Sequence, residues 1–452
     1  MSPPLAQTQR AFATTIVSRL RDQGFQALWA GGCVRDLILE QVPADYDVAT
    51  DATPEQVIAL FGRKQTIPVG ISFGVVRVRG SKGAGEVEVA TFRSDGTYQD
   101  GRHPDSVIFS SPEQDAQRRD FSINGMFLDP LSGEIIDYVG GRADLEAGIL
   151  RAIGDPHERF QEDKLRLLRA VRFAARFDFQ LDPTTRAALV SMAGEIRVVA
   201  PERIGQELRR MLVHRSRARA VDQMAEVGLA REFVPAIVDL KGIALNTTTQ
   251  PDGDLWDHTL RVLDLLPPDP TFTLAFAALL HHVGDVGGAS SPRDQSGAVG
   301  SRTVARQITD SLCRALRLSN AERERVVWLV ENHDSLRDAR TLRASRLKRV
   351  LAMPGVDELL DLHEADALAL RGESSEVEYC RDYLRNEPAG PINPPPLLTG
   401  HDLTQLGLTP GAHFARILNQ IRDAQLDGLI QTKQDACSWL DQEGLISISK
   451  SI

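Results

Sequence analysis

Asp45 and Asp47 stand one residue apart in the stretch Gly31–Asp51, GGCVRDLILEQVPADYDVATD. In an extended strand, residues i and i+2 project from the same face, so the two carboxylates point together. Left unneutralised, such close charges raise each other's pKa, and a divalent cation relieves the repulsion. Mg²⁺ suits this set, because it takes one or two carboxylates together with waters and substrate phosphates. Two such ions can activate an attacking hydroxyl and stabilise a leaving pyrophosphate in an in-line displacement. Upstream, Gly31 and Gly32 lack side chains, which lets backbone N–H groups at the following helix start approach a triphosphate. Arg35, on the first turn of that helix, can take a phosphate oxygen. An aspartate pair alone is common in solvated loops; the order strand, glycine pair, helix, aspartate pair points to nucleotidyl chemistry. A third carboxylate for the metal site is sought in EVEVATFR, where Glu88 or Glu86 qualifies and a solvent-facing strand acid is the alternative. Asn124 is a candidate support for the site, with capping or packing as its other reading.

Several elements must position these groups. Phe12, Ile16, Val17 and Leu20 recur at helical spacing over residues 8–21. FQALWA reads as a short buried strand leading into Gly31, CVRDLILEQ as a helix and DYDVATD as extended chain. Thr53-Pro54-Glu55-Gln56 is a helix start, with a capping Thr, Pro at the first helical position and Gln three residues after the cap. GVVRVRG and EVEVATFR alternate in period two, as strands do. RRDFSINGMFLD reads as helix-like, Pro130–Gly133 as a turn and EIIDYVGG as a strand. Strands and helices mix up to about residue 150, and beyond Arg151 the pattern is helical. Gly284–Gly300 reads as a loop, and the prolines of Glu387–Pro396 set off a last helical piece. The expected fold is therefore an α/β head with a mixed sheet and helices, followed by an all-α body and a helical tail.

The chain has 452 residues, 42% hydrophobic and 25% charged, which implies a globular protein of more than one domain. Its four cysteines are far apart and form no CxxC pair, a pattern of reduced thiols rather than of a disulfide framework or zinc ribbon. MSPPLAQTQRAFATT has neither a basic leader nor an apolar core, and no apolar run approaches the roughly 20 residues of a membrane span. A cytoplasmic protein is expected. A net charge of −10 argues against indiscriminate nucleic-acid binding. Basic stretches nevertheless run from Lys164 to Arg176, KLRLLRAVRFAAR, and from Arg203 to Arg219, RIGQELRRMLVHRSRAR; each reads either as a solvated helix face or as a phosphate-binding surface.

LWAGGCVRDLILEQVPADYDVAT resembles the signature of the class II tRNA nucleotidyltransferase and bacterial poly(A) polymerase family, within the polymerase β-like nucleotidyltransferases. Three further blocks carry the likeness. Arg118–Asn124, RRDFSIN, is similar to the family's RRDFTINA, with Ser for Thr and Gly125 for Ala. Ile153–Phe179 resembles the block with the EDxxR element, and Pro201–Leu212, PERIGQELRRML, the block that follows it. The resemblance implies that Asp45 and Asp47 hold catalytic Mg²⁺, and that Gly32, Arg35 and Arg119 contact the nucleotide triphosphate. It implies that Asp163 and Arg166 read the incoming base, and that Arg169 and Arg172 complete the nucleotide site. As i and i+3 of one helix, Asp163 and Arg166 are expected to face the same way, with Arg169, Arg172 and Arg176 continuing that face. A carboxylate accepts from an exocyclic amino group and Arg donates to ring nitrogen or carbonyl, so one pair serves cytosine and adenine. An ordinary helix-surface ion pair is the other reading.

Farther along, GDLWDHTLRVLDLL, FAALLHHVGD and VVWLVENHD resemble an HD phosphohydrolase domain. His258, His281 and His333 occupy positions where that family binds metal. His282 stands in place of the aspartate of the His–Asp pair, Ser301 where a histidine is usual and Asp285 where a Lys often follows the glycine. A degenerate site kept as scaffold and RNA-binding surface is expected, since an HD site needs an acid to bridge metals and acidify bound water; neutral imidazoles could still hold a transition metal. The implied organisation is a nucleotidyltransferase head at 1–150, a nucleotide-reading and RNA-binding neck at 151–220, an HD-like domain at 221–385 and a tail at 386–452. The implied activity is template-independent addition of CMP and AMP from CTP and ATP to a tRNA 3′ end, giving CCA. Alternatives are a poly(A) polymerase or an A-only or C-only enzyme, a metal-dependent phosphohydrolase, and a non-catalytic RNA-binding relic. No membrane partner is expected, and the sequence is silent on oligomeric state.

Overall fold

The computed structural model describes residues 5–81, 83–95, 107–245, 253–285, 297–386 and 391–444. The chain forms two compact units, Met1–Pro235 and Ala236–Ile452.

In the first unit the strands are β1 (Ala27–Ala30), β2 (Asp47–Thr50), β3 (Thr66–Gly70), β4 (Val75–Arg79) and β5 (Glu86–Thr91). They are followed by β6 (Arg93–Asp95), β7 (Val107–Phe109), β8 (Met126–Leu128), β9 (Ile135–Asp137), β10 (Ile149–Leu150) and β11 (Gln180–Leu181). Seven make one mixed sheet in the order β3-β4-β5-β2-β1-β8-β9. Only β2 and β5 pair in parallel within it; their register sets Val48 beside Val89 and Ala49 beside Ala90. The two remaining pairs are β6 with β7, antiparallel, and β10 with β11, parallel.

All four residues of β1 are buried, because the strand is central and covered on both faces. The helix Leu5–Asp22 packs on this part of the sheet, with Ala13, Ile16, Val17 and Leu20 fully buried along one stripe. Each larger side chain among them contributes about 1.5–3 kcal/mol by leaving water. Thr53 starts the helix Pro54–Phe61 with the reciprocal cap its sequence promised: its hydroxyl accepts from Gln56 N–H and Gln56 Oε1 accepts from Thr53 N–H.

RRDFSINGMFLD departs from its helical reading. Phe121 is extended and bridges Ala152, Ser122–Asn124 is a single 3-10 turn, and Met126–Leu128 is β8, paired with β1. Tertiary context overrides the local pattern: Met126 and Phe127 are completely buried, and the backbone finds its partners in β1 and β9. Gly125 is needed at the turn, since a Cβ there would sit 2.6 Å from Val139 Cγ2.

From Pro156 the first unit is helical apart from β11, with Pro156–Glu162, Leu165–Phe177, Pro183–Met192, Pro201–Leu212, Arg217–Glu226 and Leu229–Phe233. Leu165–Phe177 buries Leu167, Leu168, Ala170, Val171 and Ala174 along one side and carries its arginines on the other. The second unit is helical among its described residues. It includes Leu255–Leu265, Phe272–Leu280, Asn320–Asn332 and Val356–Arg371, and closes with Gly400–Gln405, His413–Leu426 and Lys433–Gln442. These last three pack around a small core of their own that contains Leu403, Ile417, Ile421 and Leu440. The α/β head and helical body are thus the architecture expected from the sequence. No described helix is long and apolar enough to cross a membrane.

Candidate active site

Gly31, at the turn from β1 into the helix Gly32–Ile38, has φ 72°, a left-handed conformation that favours glycine. A Cβ on it would lie 2.8 Å from Arg119 Nη1, so the bare backbone also makes room for that guanidinium. Arg35 is buried and donates to Asp36 Oδ1 from Nε (2.8 Å) and Nη2 (2.6 Å), and to Asn124 Oδ1 from Nη1 (2.6 Å). Its guanidinium lies 4.6 Å from the ring centre of Phe177, which fixes its plane.

Asp47 opens β2, whereas Asp45 lies in the irregular segment just before it rather than in the strand. Packing nonetheless turns both carboxylates into one cavity. Tyr46 between them is buried against Trp29, with ring centroids 4.8 Å apart. One step back in the β2–β5 register, Asp47 and Glu88 stand on the same face of neighbouring strands. Burial, then Asp45 and then Glu88 push the Asp47 carboxyl up to about 7, against a partial pull from Arg119. This separates the two candidates for a third carboxylate. Glu88 bears on Asp47 while also pairing with Arg77 at 2.9 Å; Glu86 pairs with Arg77 and Arg79, each at 3.3 Å, and does not act on Asp47. Asp45 and Asp47 line the cavity as two carboxylates, and such a pair, with waters and substrate phosphates, fits a hard divalent cation. Cys33 close by is no nucleophile, since burial pushes its thiol up to about 12.

One cavity of about 620 Å³ is lined by Gly32, Arg35, Asp45, Asp47, Arg119, Asp163, Arg166, Arg169 and Arg172, whereas Glu86 and Glu88 are not part of its lining. Eight arginines and four aspartates line it, a balance suited to a polyanion. The arginines are held in place by acids. Asp115, buried, takes Arg118 at 2.7 Å and Arg119 at 2.9 Å; burial alone would raise its carboxyl, but the two arginines bring it below the ordinary range. Asp120 accepts from Arg169 at 2.6 and 2.8 Å and from Asn124 Nδ2 at 3.0 Å. Its carboxyl is held far below the usual range although burial opposes this, first by Arg169 and then by Asn124. Arg172 pairs with Glu207 at 2.6 Å. Asn124 is thus a bridge: Asp36, Arg35, Asn124, Asp120 and Arg169 form one chain of hydrogen bonds from the glycine turn to the Leu165–Phe177 helix.

Asp163 and Arg166 do not share a helix. Asp163 ends the helix Pro156–Glu162 in an extended conformation (φ −147°, ψ 105°), and the next helix begins after it. The two side chains meet in the cavity because the chain breaks there, not because of helical spacing. Arg203 grips Asp163 with Nη1 to Oδ1 at 3.1 Å and Nη2 to Oδ2 at 2.7 Å, and Leu165 N–H adds a bond to Oδ1 at 3.0 Å. Arg166 pairs with Glu162 and donates to the Arg159 carbonyl at 2.9 Å. Sequence reading missed Arg203, Asp120 and Phe173 as parts of the site. Arg203 and Asp120 lay inside quoted motif blocks, but no local pattern ties either to its partner about 40 or more residues away. The polar, Gly-rich stretch Ser94–Ser106, a candidate moving element by its composition, has residues 96–106 outside the described ones.

The second unit gathers His258, His281 and His282 as well, with His333 flanking them, its ring centre 5.6 Å from that of His281 and 5.7 Å from that of His282. The cluster is not devoid of acid, as the motif comparison implied. Asp366, from the Val356–Arg371 helix, lies 3.0 Å from His258 Nε2, and Asp285 lies 2.7 Å from His282 Nδ1. Ser301 falls in the helix Gly297–Ala315, with its side chain outside the described residues.

Comparison with known proteins finds similar families, chains and folds. The family described as Poly A polymerase head domain matches residues 27–151, and the one described as Probable RNA and SrmB-binding site of polymerase A matches residues 178–240. The CCA-adding enzyme of Limosilactobacillus fermentum is 43% identical over 202 residues, 44% of this chain and 49% of that protein. The CCA-adding enzyme of Geobacillus stearothermophilus is 41% identical over 238 residues, 52% of this chain and 56% of that protein. The match thus spans about half the length of these curated relatives. Among solved structures, the Bacillus stearothermophilus CCA-adding enzyme in complex with CTP superposes with a TM-score of 0.71 at 27% identity, covering 98% of both chains. The Thermotoga maritima CCA-adding enzyme complexed with tRNA shares the fold, with a TM-score of 0.60 at 18% identity and coverage of 96% of this chain and 95% of that one. With its motif blocks in order and their residues gathered in one cavity, the chain matches the poly A polymerase head domain and its RNA-binding domain in part of its length, and it is similar over about half its length to CCA-adding enzymes.

Proposed function

We propose that this chain is a tRNA nucleotidyltransferase that adds CMP and AMP from CTP and ATP to the 3′ end of tRNA, releasing pyrophosphate and giving CCA. The observation that carries the reading is the shared cavity: acids suited to metal, arginines suited to a triphosphate, and the Asp163 and Arg166 pair suited to a base edge all line it. Arg35 and Arg119 hold the triphosphate, and the bare Gly31-Gly32 backbone lets it come close. Asp163 accepts from the exocyclic amino group of cytosine or adenine, and Arg166 donates to the neighbouring acceptor. Glu162 and Arg203 keep those two side chains from rotating. Arg169 and Arg172, anchored on Asp120 and Glu207, complete the nucleotide's surroundings.

Asp45 and Asp47 would hold Mg²⁺, which when bound supplies activation of the 3′-hydroxyl and charge neutralisation at the leaving pyrophosphate. The division into a head at 1–150, a neck at 151–220, an HD-like domain at 221–385 and a tail at 386–452 is kept as part of this reading, as is a cytoplasmic location. A polymerase adding only A draws support from the description of the matched head domain. Sequencing tRNA 3′ ends after reaction with ATP and CTP together separates the two. CCA ends are expected on tRNA lacking them; tails of A alone, with CTP never incorporated, would refute the proposal.

A further inference from the structure

We propose that Arg176 binds the terminal phosphate of the incoming nucleoside triphosphate; this rests on the nucleotidyl-transfer reading and adds a ligand at the far end of the nucleotide. Seven of the eight arginines that line the cavity each hold an acid, Arg35 through Asp36 and the rest through Asp115, Asp120, Glu162, Asp163 or Glu207. Arg176 is the eighth, half-buried at the cavity wall. Among the described residues its side chain has no ion pair and no hydrogen bond, and its guanidinium rests 5.1 Å from the ring centre of Phe177. The acid nearest to it in the chain, Asp178, is taken by Arg219. A guanidinium that lines a polyanion site without an acid of its own is left to pair with the charge of a ligand.

Position selects the phosphate. Arg176 lies on the last turn of the Leu165–Phe177 helix, and from 166 to 176 the axis advances about 15 Å at 1.5 Å per residue. Asp163 and Arg166 take the base at the start of that helix, so its end lies toward the phosphates. There Arg176 shares the Phe177 ring with Arg35, whose guanidinium is 4.6 Å from the ring centre and comes from the helix after the glycine turn. Two guanidinium groups from separate elements thus meet at one aromatic face. Burial lowers the Arg35 guanidinium from its ordinary range, and Arg176 adds to this against the pull of Asp36. Another neighbour, His214, is lowered first by burial and then by Arg176, so it offers no negative charge either. A terminal phosphate carries about two negative charges at pH 7, and placed between Arg35 and Arg176 it replaces their repulsion with two charge-assisted contacts. The planar fork of Arg176 suits two oxygens of one phosphate.

The test titrates the full-length protein with CTP and with CDP by calorimetry, in Mg²⁺ and without RNA. Wild type should prefer CTP. Arg176→Gln should weaken CTP about 10–100-fold and leave CDP nearly unchanged, so that the preference for the triphosphate collapses. Arg176→Lys keeps the charge but not the fork and should fall between the two. Asp163→Ala, at the base end, should weaken CTP and CDP alike. Affinity for tRNA lacking CCA, read by gel shift, should be the same in wild type and Arg176→Gln. If Arg176→Gln fails to fold by circular dichroism, Arg176→Met decides in its place, because its aliphatic stem still covers Phe177. A wild type that binds neither CTP nor CDP brings down the nucleotidyl-transfer reading together with this proposal. A wild type that prefers CTP, with the same preference kept in Arg176→Gln, overturns the assignment of Arg176 alone. Loss of tRNA affinity with that preference intact also overturns it, and places Arg176 on an RNA phosphate instead.

Discussion

Arg203→Met should degrade base selection before it degrades chemistry. Arg203 contacts both oxygens of Asp163, at 3.1 and 2.7 Å, and the pair is about four-fifths buried, with side-chain exposures of 21% and 18%. Hydrogen bonds to charged groups contribute about 1.5–3 kcal/mol net. At 1.4 kcal/mol per tenfold, losing that restraint lowers the preference for C and A over U and G by about 10–150-fold. Leu165 N–H still holds Oδ1, so the lower half of that range is expected. Arg203→Lys keeps the charge but not the fork, and should fall between wild type and Met. The assay is kcat/KM for each of the four nucleotides, on tRNA lacking CCA and on tRNA ending in CC. Arg203 is not among the carboxylates at the proposed reaction centre, so kcat with the correct nucleotide should fall less than the selectivity ratio. A selectivity unchanged within about twofold in Arg203→Met, alongside collapse in Asp163→Ala, would show that Asp163 is oriented without Arg203 and would sink the reasoning.

Three more outcomes are expected. Asp45→Ala or Asp47→Asn should remove several kcal/mol of transition-state stabilisation, about three orders of magnitude in kcat, with tRNA binding nearly intact in a gel-shift assay. Gly31→Ala puts a Cβ 2.8 Å from Arg119 Nη1 at a left-handed φ, costing about 1–2 kcal/mol for the backbone alone, and should raise KM for the nucleotide in steady-state kinetics. Asp120 has a folded-state pKa below its unfolded value near 3.9, so its contribution to stability is complete above about pH 4 and is lost as pH falls further. Urea unfolding from pH 6 to 3 should therefore show a smaller loss of stability on acidification for Asp120→Asn than for wild type; parallel curves would rule out this role.

Local signals were reliable where the chemistry is local. The Thr53 cap is satisfied within four residues, the alternation of β4 and β5 follows from the pleat, and the helix Gly32–Ile38 follows directly on its glycine turn. RRDFSINGMFLD was misread because its fate depends on β1, nearly a hundred residues upstream, which draws Met126 and Phe127 into the sheet. Asp163 and Arg166 both line the cavity, but not through the helical spacing expected of them. A helix break leaves both side chains on the cavity as readily as helical spacing would, so the sequence pattern did not distinguish them. Glu88 and Glu86 looked equivalent on one strand face, and only the parallel pairing with β2 sets Glu88 beside Asp47.

The sequence by itself determined which chemistry is available: two close acids, a bare turn, a ladder of arginines and an Asp–Arg pair, in an order that resembles one family. It did so because carboxylates, guanidinium groups and glycine carry their properties wherever they stand. Tertiary structure alone decided how those groups are held. Asp120, Asn124 and Arg203 secure the cavity, and Asp366 joins the histidine cluster, through contacts between residues about 40 to 110 positions apart. Such contacts depend on where strands pair and helices pack, and a chain's local composition does not encode that distance.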